Sequence, residues 1–194
     1  MKNTILALVA SIGALGAVSA HAADGRPYVG VGAVVAEHKY ELNNDTTSND
    51  RKSNEWGGKF FAGYEINPNW AVEAGYTDFG KNDYAYTVNG VNGRVESDAK
   101  SFYLAGKYTY PVANNFNVFG KLGVAHNKND VSATGLAAAW NGDSSKNTVY
   151  ASLGAEYAIN QNVALSLEYE HYGKNDNDLG RRKGAVTLGA RYSF

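Results

Sequence analysis

Eight short stretches of this chain alternate strictly between two kinds of residue, and the alternate residues on one side never carry a charge. The positions are 29, 31, 33 and 35; 56 to 66 by twos; 70 to 76; 102 to 110; 116 to 124; 149 to 159; 163 to 169; and 186 to 194. These 39 positions hold only Val, Ala, Leu, Ile, Gly, Phe, Tyr and Trp. With 19% of the chain charged, chance would put about seven charges among them. Period-two alternation places these residues on one face of a sheet. The opposite parity carries Lys59, Glu65, Glu73, Lys107, Lys121, Glu156, Glu168, Glu170 and Arg191, with Ser, Thr, Asn, Gly and a few aromatics.

Two closed sheets fit such a pattern. A soluble barrel would enclose the Leu, Tyr and Trp face and expose glycine, alanine and scattered charges. Eight strands leave an interior just wide enough for side chains, so the large apolar face does not fit inside. The inverted barrel does fit, with apolar side chains toward lipid and charges toward the lumen. A Lys or Arg turned to lipid at the bilayer midplane costs about 2–4 kcal/mol, which forbids the reverse arrangement. Closure also leaves no unpaired sheet edge, as a membrane requires.

Connections alternate in length. "INPN" at 66–69, "PVANN" at 111–115 and "INQN" at 159–162 are tight turns with Pro and Asn as turn formers. The polar stretches Glu41 to Asn54, Phe79 to Ala99, Asn127 to Lys146 and Gly173 to Lys183 are expected to be four long extracellular loops, opposite short periplasmic turns. Outward aromatics gather by the turns as an inner girdle, Tyr64, Trp70, Tyr108, Tyr110, Phe116, Tyr157, Tyr192 and Phe194. Trp56, Tyr76, Phe102 and Tyr169 form an outer one. The expectation is an all-β, eight-stranded antiparallel up-and-down transmembrane barrel with both termini on one side.

The start of the chain agrees with export. Lys2, an apolar run from Ile5 to Val18 and small residues at Ala20 and Ala22 make a signal peptide over residues 1–22, with cleavage after Ala22 and a barrel domain over 23–194. Without Lys2, acidic groups exceed basic ones by two, so no nucleic-acid partner is expected. The chain has no cysteine, which removes disulfides, thiolate metal sites and thiol nucleophiles.

Three hairpins repeat one plan: "AGYEINPNWAVEAGY", "AGKYTYPVANNFNVFGKLG" and "LGAEYAINQNVALSLEYE". With the closing "LGARYSF", they resemble the transmembrane domain of outer membrane protein A and its relatives. The resemblance covers nearly all the chain after the leader except the long loops. It implies an eight-stranded barrel in a Gram-negative outer membrane. It implies too that the last strand, with Leu188, Ala190, Tyr192 and Phe194, is the signal read by the outer-membrane assembly machinery. Full-length relatives often continue into a peptidoglycan-binding domain, and the sequence stops at Phe194, so that anchoring role is not carried over. Family members have a lumen ion network, and Glu73, Lys107, Lys121 and Glu156 match its positions. Where the family's gate has an Arg, in "ALSLEYE", this chain has Ser166, which puts the family's exchange of Glu73 between basic partners in doubt and leaves Lys121 or Lys107 as its partner.

Other constellations are weaker. His38, His126 and His171 fall near outer strand ends, with no pair at i, i+2 or i+4, so no metal is expected. "HNK" and "HYG" lack the Ser that a lipid-deacylating site would pair with its His. "DNDLG" at 176–180 lacks a calcium loop's twelfth-position Glu, since Thr187 stands there. Arg181, Arg182 and Lys183 present donors suited to lipopolysaccharide phosphates. The reading is a non-enzymatic integral outer-membrane protein with no cofactor. Its partners are outer-membrane lipid, lipopolysaccharide and the assembly machinery, with host or phage ligands at its loops. A low-conductance, porin-like channel gated by lumen salt bridges is the alternative, and a lipid enzyme the third class.

Overall fold

The computed structural model describes residues 25–39, 52–88, 91–133, 142–173 and 181–194. The leader with Ala20 and Ala22, and the stretch 176–180, lie outside the described residues. The described chain forms β1 (Arg26–Lys39), β2 (Lys52–Glu65), β3 (Trp70–Val88), β4 (Val91–Ala113), β5 (Phe116–Ala133), β6 (Gly142–Ala158), β7 (Val163–His171) and β8 (Arg181–Ser193). Each strand pairs antiparallel with the next, and β1 pairs with β8 from Tyr28↔Ser193 to His38↔Arg181, so the sheet closes into a barrel.

The apolar parity lies on the outside. Trp56, Leu104, Leu122, Leu153, Leu167 and Leu188 are among its exposed large side chains, while the charges of the other parity are buried in the lumen except for Glu65 and Arg191, which are half-buried. A belt of this kind in water would be an extended exposed apolar patch. In a bilayer it meets hydrocarbon. Phe102 and Tyr110 are eight residues apart on β4, which is about 27 Å along a strand and about 20 Å of height after a tilt of about 40°. That separation matches an apolar band flanked by two aromatic girdles. At the inner girdle Trp70 packs on Tyr108 with ring centroids 4.8 Å apart, and Tyr192 on Phe194 at 5.3 Å.

Two tight turns share one chemistry. The Asn67 side-chain oxygen accepts from the amides of Asn69 and Trp70, both at 2.9 Å. Asn160 accepts in the same way from Asn162 at 2.9 Å and Val163 at 2.8 Å. Each side chain thus stands in for a backbone acceptor across a chain reversal. Asn160→Ala is expected to cost about 1 kcal/mol, read as a lower urea midpoint of the folded barrel in lipid vesicles. An unchanged midpoint would show that the turn holds without it.

The strands run farther than the alternation suggests. Two of the expected loops are largely paired sheet. Within 79–99, β3 and β4 continue from Lys81↔Asp98 to Val88↔Val91, and within 127–146, β5 and β6 continue from Asn127↔Lys146 to Val131↔Gly142. The other two are also shorter than expected, because β2 begins at Lys52 and β8 at Arg181. The physical reason is that, past the hydrocarbon, both faces of a strand meet water. Backbone pairing persists while the apolar periodicity that reveals it fades.

Candidate functional site in the lumen

All nine expected lumen charges reach the barrel interior, and they divide into two clusters. The outer cluster holds Lys59 of β2, Glu73 of β3, Lys121 of β5, and Glu168 and Glu170 of β7. Lys121 Nζ lies 2.7 Å from Glu73 Oε1 and 2.8 Å from Glu168 Oε1. Lys59 Nζ lies 2.5 Å from Glu170 Oε1 and 3.2 Å from Glu168 Oε2. The inner cluster joins Lys107 of β4, Glu156 of β6, Arg191 of β8 and Glu65 of β2. Arg191 bridges Glu65 at 2.5 Å and Glu156 at 2.8 Å, and Lys107 Nζ meets the second Glu156 oxygen at 3.2 Å. Except for Glu65 and Arg191, every one of these groups is at most 5% exposed.

Three carboxylates against two ammonium groups would leave the outer cluster one negative charge in excess. Neutral donors spread that charge. Glu170 accepts from Tyr150 at 2.6 Å, from Tyr172 at 2.9 Å, and from the Thr187 hydroxyl. Glu73 accepts from Tyr28 at 2.9 Å and Tyr103 at 2.5 Å. Buried carboxylates tolerate low dielectric only when their lone pairs are filled this way. Between the clusters lie the rings of Tyr28, Phe61 and Phe119. Lys121 sits 5.6 Å from the Phe61 centroid and 5.2 Å from Phe119. On the inner side Lys107 lies 4.4 Å from Phe119, and the Arg191 guanidinium 5.0 Å from Tyr28. The lumen is therefore layered: ions, aromatic rings, ions.

Those inward aromatics and Thr187 are the parts of the site that sequence reasoning missed. Their places depend on which residue stands opposite. Tyr28 faces Gly63 across β1 and β2, and Tyr103 faces Gly75 across β3 and β4. A Cβ on Gly63 would come within 2.3 Å of the Tyr28 ring, and one on Gly75 within 2.4 Å of Tyr103. The rings lie flat over their cross-strand glycines, which is how so many fit inside eight strands. An inward aromatic with a glycine partner was the available signal, but it needs the register. Tyr103 then stacks on Tyr150 at 4.3 Å, and Tyr150 meets Tyr172 at 5.2 Å.

Lys121, and not Lys107, is the cation on Glu73. Ser166 carries no charge to take an Arg's place. The second cation of the outer cluster instead comes across the barrel from Lys59. At the turn end the lumen opens into a vestibule of about 250 Å³, lined among others by Glu65, Asn69, Lys107, Thr109, Asn117 and Arg191.

The remaining expected residues lie elsewhere. Leu188, Tyr192 and Phe194 are exposed on the outer wall and Ala190 is half-buried there. The Phe194 amide also donates to the Pro27 carbonyl at 3.1 Å. The backbone of Arg181, Arg182 and Lys183 starts β8, while their side chains lie outside the described residues, as does that of His38. His126 is exposed with Nδ1 2.7 Å from the Asn147 side-chain oxygen, and His171 ends β7.

The sequence matches, over residues 5–194, the family described as outer membrane protein beta-barrel domain. Outer membrane protein A of Yersinia pseudotuberculosis serotype I is 32% identical over 208 residues, covering 100% of this chain and 56% of that protein. Outer membrane protein A of Klebsiella pneumoniae is 29% identical over 164 residues, covering 80% of this chain and 44% of the relative. The chain spans about half the length of the curated relatives it matches. Among solved structures, Ail, the attachment invasion locus protein of Yersinia pestis, aligns with a TM-score of 0.56 at 19% identity over 88% of this chain and 99% of that one. That likeness is one of fold.

Proposed function

The chain belongs to the outer membrane protein β-barrel family, and from that premise we propose that it is a structural and surface-interaction protein of the Gram-negative envelope. It is an outer-membrane barrel whose work is done by its two surfaces. The wall engages outer-membrane lipid, and the outer hairpins present a platform for host or phage ligands. Arg181, Arg182 and Lys183 contribute to lipopolysaccharide contact, the last strand to recognition by the assembly machinery, and residues 1–22 to export. It is not an enzyme and uses no cofactor.

The observation that carries this reading is the lumen. Its charges are paired, all but Glu65 and Arg191 are buried, and stacked rings fill the space beside them, which favours a static plug over a conduit. Planar-bilayer recording tests it. The folded protein is expected to give a closed baseline, and sustained conductance would count against the plug.

A second reading, a low-conductance channel, draws on the vestibule that reaches Lys107 and Arg191 from the turn end. It requires Lys121 to release Glu73. On that reading Glu73→Ala and Lys121→Ala change the single-channel conductance, and identical traces for both variants and the parent would rule it out.

A further inference from the structure

The inner ion cluster is a chain with two loose ends. Its links are Glu65 to Arg191, Arg191 to Glu156 and Glu156 to Lys107, at 2.5, 2.8 and 3.2 Å, so the signs alternate and the charges cancel. The middle is saturated, since each Glu156 oxygen meets one cation. The ends are not. Glu65 accepts through Oε1, and its second oxygen has no partner among the described residues. Lys107 donates one hydrogen bond, to Glu156, with the Phe119 ring 4.4 Å away. An ammonium has three N–H donors, so at least one is unfilled.

Both ends of the chain line the vestibule at the turn end. The Lys107 side chain, 5% exposed, lies deep in it, and Glu65, at 24%, lies nearer the opening. Asn117 and Thr109 stand on the same wall, and neither side chain makes a hydrogen bond among the described residues. Trp70 and Pro111 add apolar surface. Convergent polar groups set in an apolar wall are the form of a small-molecule site, and about 250 Å³ falls just below the roughly 300–1,000 Å³ of drug-sized pockets. That size suits a ligand no larger than an amino acid. The turns at 66–69 and 111–115 carry no charge, and Arg26, at the same end, is engaged by the carbonyls of Gln161 and Phe194.

The vestibule therefore offers one open acceptor and one open donor, opposite in sign, within a cluster of no net charge. A simple anion would be repelled by Glu65, and a simple cation by Lys107. A ligand that carries both signs satisfies both ends and closes the chain of charges into a ring. We propose that the vestibule binds a small zwitterion of the free amino acid class, its carboxylate on Lys107 and its ammonium group on Glu65. Asn117 and Thr109 orient it from the wall. The site lies on the turn side of the Tyr28 and Phe119 rings, so it does not depend on whether the lumen conducts. On the orientation proposed above, its ligand comes from the periplasm.

The test titrates the full chain, folded in lipid nanodiscs, with alanine and separately with its two halves, acetate and ethylammonium. Binding is read from the amide NMR shifts of Asn69, Thr109 and Asn117 and from the Trp70 indole, and the heat-dependent gel shift confirms folding. Alanine should give saturable shifts in the parent, and each half should bind at least about tenfold more weakly, the scale of one charge-assisted hydrogen bond. Glu65→Gln leaves Arg191 its Glu156 partner and removes one negative charge. It should therefore reverse the preference, so that acetate binds more tightly than alanine, an inversion that a merely structural role for Glu65 would not produce. Asn117→Phe, which fills the vestibule and leaves every ion pair in place, should abolish the alanine shifts. No saturable shift with alanine in the parent, or equal binding of alanine and acetate there, overturns the site. An unchanged preference in Glu65→Gln overturns it as well, and alanine shifts that persist in Asn117→Phe would put the ligand somewhere else.

Discussion

Lys121→Met is expected to destabilise the folded barrel by about 3–5 kcal/mol, because removing one partner of a buried ion pair strands the others in low dielectric. Lys121 holds Glu73 and Glu168 together. Without it, the outer cluster keeps three carboxylates and one ammonium group. Tyr28 and Tyr103 still donate to Glu73, but hydroxyls do not neutralise a charge. The measurement is urea unfolding in vesicles, read by the gel shift of folded against unfolded protein. Lys121→Met combined with Glu73→Gln and Glu168→Gln should recover part of the loss, since the stranded charges go with their partner. Lys128→Met, in an exposed pair, should cost only about 0–1 kcal/mol. A Lys121 variant as mild as the Lys128 one would mean that the lumen ions are hydrated and the plug is not one.

Leu122→Arg carries the second large effect. Leu122 is 67% exposed and lies near the middle of the outward run from Phe116 to His126 on β5. At the bilayer midplane an arginine on the lipid face costs about 2–4 kcal/mol, falling to about 0–1 kcal/mol near the interface. Tyr110→Arg, at the inner girdle, is therefore the control. A gradient in the urea midpoint between the two positions is a signature of a membrane around the barrel. Equal effects, or none, would place the apolar belt somewhere other than lipid.

The inner turn chemistry was legible from short motifs, because "INPN" and "INQN" carry their acceptor within the turn itself. The inward parity of Lys59, Glu73, Lys121 and the other charges was legible for the same reason, since a residue's face is settled by its own strand. Pairings inside the lumen were not. Lys59 and Glu170 are 111 residues apart, and no local pattern says that β2 and β7 meet across the interior. The length of β3 and β4 was missed because their outer halves leave the bilayer, where no apolar stripe marks a strand.

Alternation within each segment thus determined, from the chain alone, that there are eight strands, which face looks to lipid and which groups lie within. It can do so because side chains change sides at every residue, and a membrane penalises charge on one side only. Tertiary structure alone decided which lysine serves which glutamate, which ring covers which glycine, and how far the hairpins rise. Those depend on the stagger between strands, a property of the closed barrel as a whole that no strand carries in its own sequence.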